Sequence, residues 1–146
     1  MVQEQNMLAA EQKLKELVAA ADKTLEGFIA LGQRFGLKMD YSLESLDEVE
    51  KLLVTFKEKP KFEELKTDAW LYIGQCICKS LGGQWKVSND VSHNRKYYML
   101  PVVDHFSKFN DEYCPMVAIN QFLAYSKKSF FKTTIEAMRA GTYREE

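Results

Sequence analysis

Phe62-Glu63-Glu64-Leu65-Lys66-Thr67-Asp68-Ala69-Trp70-Leu71-Tyr72-Ile73-Gly74-Gln75-Cys76-Ile77-Cys78-Lys79-Ser80, followed by Leu81-Gly82-Gly83-Gln84-Trp85-Lys86-Val87-Ser88, is the stretch on which the fold turns. Leu65, Ala69, Trp70, Leu71, Tyr72, Ile73, Cys76, Ile77 and Leu81 cover most of the circumference of a helix over about residues 62–80. Only Lys66, Asp68, Gln75 and Lys79 form a polar strip. A helix apolar on most sides is wrapped by neighbours, so this helix, the third in the chain, is expected at the centre. Gly74 in mid-helix costs about 1 kcal/mol relative to Ala. The expected reason is another element packing close to the backbone. Gly82 and Gly83 then end the helix and the period changes. Trp85 and Val87 alternate with polar residues, which reads as a strand.

Downstream, 89–94 reads as a turn and 95–103 as a second strand, making an antiparallel hairpin. Pro101 falls late in that strand and implies an edge or a strand exit. A hairpin alone is marginal, so a third strand from 38–41 or 104–109 could join it. Pro115 suits the first turn of a long last helix to about residue 140, ended by Gly141. Upstream, Ser42 as N-cap, early acids and Pro60 delimit a second helix carrying Leu46, Val49, Leu53 and Phe56. Before it, Met7, Leu14, Val18, Ala21, Leu25, Phe28 and Phe35 form one stripe on a single long helix over about 3–35, stopped by Gly36. That stripe either packs into the core or serves as the seam of a homodimer through the first helix. The expected fold is α+β: four helices, the third central, packed with an antiparallel β-hairpin or small sheet. It forms a single domain over 1–146, with an N-terminal helix (1–36), an α+β core (37–140) and a frayed tail (141–146).

The 146 residues are 46% hydrophobic and carry a net charge of −1. Disorder does not fit that composition, and neither does a strongly cationic nucleic-acid binder. The net value hides an asymmetry. Residues 1–66 hold 10 basic and 13 acidic side chains, whereas 67–146 hold 10 and 8. Residues 115–144, the last helix and the start of the tail, carry Lys127, Lys128, Lys132, Arg139 and Arg144 against the single acid Glu136, with Phe122, Tyr125, Phe130 and Phe131 interleaved. This basic helix could serve an acidic protein or, as an alternative, a nucleic-acid accessory role. Dipole complementarity accounts for part of the charge. Three cysteines do not make a disulfide scaffold. The N-terminus lacks a basic n-region, and no apolar run approaches the roughly 20 residues of a membrane span. A cytoplasmic location is expected.

Few residues suggest chemistry. Cys76 and Cys78 are two apart, so on a helix their sulfurs diverge, and no metal or other cofactor is expected. There is no glycine-rich phosphate loop. The enzymatic alternative pairs Cys114, at a helix start where a thiol pKa can fall, with His105 and Asp104 or Asp111. On the hairpin, alternation requires Tyr97 or Tyr98 to face outward. With His93 in the turn and Lys127 and Lys128 on the last helix, they are the expected partner-binding residues.

Several segments resemble a known pattern. The run from Leu37 to Leu46 (LKMDYSLESL) is similar to an LDYS-x-x-SL helix start. Tyr72-Ile73-Gly74-Gln75-Cys76 and Leu81-Gly82-Gly83-Gln84-Trp85 resemble a YLGE…GG-x-W stretch. Leu100-Pro101 and Pro115-Met116-Val117 echo an LP…P-x-x-V ending. Together, over about 37–123, they resemble an uncharacterised family of small bacterial α+β domains of the immunity-protein type. Gln75 stands where that pattern has an acid. The resemblance implies a non-enzymatic protein that masks a cognate toxin, through charge-complementary surfaces of the kind that give fast, specific pairing.

Overall fold

The structure, a computed structural model, describes residues 2–89, 97–109 and 111–142. Helix α5 (Phe62–Leu81) lies in the middle and buries Leu71, Tyr72, Ile73, Cys76 and Ile77. It packs against α4 (Leu46–Phe56), α6 (Pro115–Tyr125), and the strands β1 (Gln84–Val87) and β2 (Pro101–Asp104). Gly82 ends it in the left-handed conformation, φ 74°. Gly74 meets the expectation of a close approach: a Cβ there would collide with the six-membered ring of Trp85.

The expectation of four helices is corrected. Among the described residues there are six helices of nine residues or more and one single turn, beside a two-stranded sheet. The first expected helix is divided at Ala20 and Leu25 into α1 (Val2–Ala19), α2 (Ala21–Thr24) and α3 (Glu26–Arg34). Hydrogen bonds from Thr24 N to Ala20 O and from Ile29 N to Leu25 O run across these joints, so they are interruptions within a helical run and not loops. The joints let Ala21, Leu25 and Phe28 reach the core while α1 follows β1. The last expected helix is divided too, into α6 and α7 (Phe130–Ala140), with Ser126 and Ser129 both left-handed between them.

The hairpin is shorter than expected. Trp85 pairs with Val103 and Val87 with Pro101, antiparallel. Pro101 therefore opens β2, at a strand's first residue where a missing N–H is tolerated, and residues 97–99 form a turn. Neither proposed third strand forms. Val103 instead makes one isolated antiparallel bridge with Tyr113. No helix among the described residues is long and apolar enough to cross a membrane.

Candidate functional site

Among the described residues the most exposed large hydrophobic side chain is Tyr125, 70% exposed, at the end of α6. The chain then turns through Ser126, Lys127 and Lys128, all exposed, and half-buried Ser129 before α7 begins. Two non-glycine residues with φ near +55° are costly by about 1–2 kcal/mol each. A buried carboxylate holds the turn. Glu50 of α4, 6% exposed, accepts hydrogen bonds from Ser129 N (2.9 Å) and Phe131 N (3.2 Å). These are orphan donors at the start of α7, where the helix dipole also favours an anion. Burial pushes the Glu50 pKa up, nearby Asp47 adds to the rise, and the two backbone donors oppose it. The turn aims Phe131 into the core, 5.4 Å from Phe122 between ring centroids.

Between this turn and α4 runs a groove of about 530 Å³ lined by Glu50, Lys51, Val54, Thr55, Phe122 and Lys128, among others. Val54 on its rim is 61% exposed. With Ser126 N donating to Phe122 O (2.7 Å) at the α6 end, the corner offers an aromatic ring, an aliphatic rim and two cations on a backbone held at both ends. Lys127 and Lys128, expected from the sequence to bind a partner from the last helix, sit on the turn between α6 and α7 instead. Tyr125 was missed as a site residue; its signal was the Tyr-Ser-Lys-Lys-Ser run, whose serines favour helix ends over helix interiors.

The other expected residues lie elsewhere. His93 falls outside the described residues. Tyr97 and Tyr98 are half-buried in the turn before β2, where strand alternation does not apply, and both are engaged by neighbours. Cys114 and His105 are not brought together. Cys114 is 3% exposed and follows Tyr113, on one side of the Val103–Tyr113 bridge, while His105 lies exposed on the other. His105 Nδ1 instead bonds the carboxylate of Asp104. Asp104 and Glu112 also flank Lys86 Nζ, at 3.7 and 3.1 Å, and the buried Ser88 hydroxyl donates to Glu112 (2.7 Å). These contacts raise the Lys86 pKa, chiefly through Glu112. The cluster ties the strands to the 111–113 segment. It presents no nucleophile beside the histidine.

Gln75 has a structural role. Its Oε1 accepts from Trp85 Nε1 (2.9 Å), and its Nε2 donates to Asp22 Oδ1 (3.3 Å). An acid could do the first but not the second, and it would face the Asp22 carboxylate. Lys79 completes the set, 3.3 Å from Asp22 and 4.9 Å over the Tyr41 ring. Among the described residues no group of three His, Cys, Asp or Glu side chains could hold a metal ion.

No protein-family model, curated protein or solved structure matches this chain.

Proposed function

We propose that this protein is a non-enzymatic binding module that presents the Tyr125–Lys127–Lys128 corner to an acidic face of a protein partner, in the manner of an inhibitor that masks a toxin. The observation that carries the reading is the pinned turn. Glu50 holds the α7 end of the exposed aromatic–cationic loop and Ser126 N donates to Phe122 O at its α6 end, so little ordering entropy is lost on binding. A tyrosine flanked by cations is also the composition of an interface anchor. The resemblance to immunity-type domains supplies the class of partner, and the cytoplasm is the proposed site of action.

The test is co-expression with the product of the neighbouring gene, which this reading expects to be a toxin. The full chain is expected to form a complex and restore growth. Tyr125→Ala and the double reversal Lys127→Glu/Lys128→Glu should each abolish rescue without loss of fold. Absence of both complex and rescue contradicts the inhibitor reading. Rescue indifferent to these substitutions contradicts the placement of the site.

A further inference from the structure

The stripe that could have served as a homodimer seam turns inward, since Leu14, Ala21, Leu25 and Phe28 are all buried within the chain. The two halves of that stripe are held very differently. The continuous core begins at Ala21, and Leu17 is the one side chain of α1 that leans against it. Leu14, the one buried side chain described in α1, lies outside that core. Grooves of about 700 and 600 Å³ flank the helix, and Leu14 and Val87 of β1 line both. Helical spacing puts Met7, Glu11 and Val18 on one side of Leu14 and Ala10, Lys13 and Leu17 on the other. So α1 meets β1 along one ridge, with open space on each flank. Polar bonds do not reinforce the ridge. Among the described residues, no side chain of 5–19 makes a hydrogen bond or ion pair outside α1; Gln12 bonds Glu16 within it. The attachment changes abruptly after the helix. Ala21 and Leu25 are fully buried, and Asp22 is tied to Gln75 and Lys79 of α5. Between the two regimes stands Ala20, exposed and out of helical geometry, with ψ near 2°.

We infer that α1 is a latch: it swings off the body as one unit about Ala20 while α2–α7 stay folded, and it closes again over the face it leaves. Segments with few buried apolar contacts open at a lower free energy than the core. The ridge at Leu14 is such a contact, and the ties at Ala21, Asp22 and Leu25 stop the opening from spreading. The uncovered face is apolar. Trp85 lines one groove, Trp70, Met99 and Pro101 line the other, and Val87 lines both. In the closed state α1 therefore shields two indoles and a strand from any other apolar surface. Once detached, a helix of 18 residues is marginal in water, so opening frees its backbone amides to exchange.

Native-state hydrogen exchange on the full chain tests the inference. Amides of residues 7–19 should be at least about 100-fold less protected than those of 71–77 in α5. Their protection should also be uniform, because a latch opens as a unit, whereas a fraying end shows protection rising toward residue 19. Leu14→Ala removes the ridge and should lower protection throughout 7–19 by at least about tenfold. Ile135→Val is a mild change in the core on α7. It should lower protection of 71–77 about fivefold and leave 7–19 unchanged, because the contact it weakens is still made when the latch is open. Protection of 7–19 equal to that of 71–77 overturns the inference. So does a gradient along α1, or an equal loss in both segments with Ile135→Val.

Discussion

Single side chains decide how α5 meets its neighbours. Gly74 lies under the Trp85 ring, so Gly74→Ala should destabilise by about 1–3 kcal/mol through overpacking, against a helix-propensity gain of about 1 kcal/mol. Equilibrium denaturation with tryptophan fluorescence measures both the loss and the displaced indole. Gln75→Glu should cost about 1–2 kcal/mol, because it loses a donor and brings a second carboxylate to Asp22. Adding Asp22→Asn should recover most of that loss, which a double-mutant cycle would reveal as coupling. The thiols should be unreactive in the native state. Burial pushes Cys76 up to about 12 and Cys78 up to about 11, while Cys114 is 3% exposed. Timed labelling near neutral pH should be slow throughout and should reach half-buried Cys78 first. Rapid labelling of Cys114 would revive the enzymatic alternative.

Among the elements, the α6–α7 turn depends most on a distant residue. Glu50→Ala leaves Ser129 N and Phe131 N without their acceptor and should cost about 2–3 kcal/mol. Glu50→Gln keeps one acceptor and should cost less. The Glu50 pKa is raised in the folded chain, so the unfolded chain ionises first as pH climbs. Folding stability relative to Glu50→Gln should therefore fall as pH rises from the ordinary glutamate range through the raised value, and level off above it. Urea denaturation of both proteins at several pH values reads this difference. The same turn shows what local sequence can reveal. Helix ends at Gly36, Gly82 and Gly141 were legible because each needs φ near +74°, which glycine adopts without strain. The break at 126–129 was not, since its cause lies on α4, in Glu50. The joints at Ala20 and Leu25 carry no glycine or proline and keep helical hydrogen bonds, so periodicity runs through them. Lys127 and Lys128 were legible as charge, but the prominence of Tyr125 beside them follows only from the break.

For the molecule as a whole, a net charge of −1 conceals a division of labour. Three acids of the first half engage groups distant in the chain. Asp22 anchors Lys79, Glu50 caps α7, and Glu44 lies 3.9 Å from Lys132. Lys127 and Lys128 at the corner stay exposed. A small net charge is therefore compatible with a locally cationic, rigid docking surface. The central claim is that this corner binds a protein through aromatic burial and charge. The deciding experiment is titration calorimetry, at low and moderate salt, of the full chain against the toxin that this reading expects the neighbouring gene to encode. The complex should weaken with salt and lose about 100-fold in affinity with Lys127→Glu/Lys128→Glu, a factor of the size seen when interface anchors are removed. Wild-type affinity in that variant, or binding unchanged by salt, would contradict the central claim.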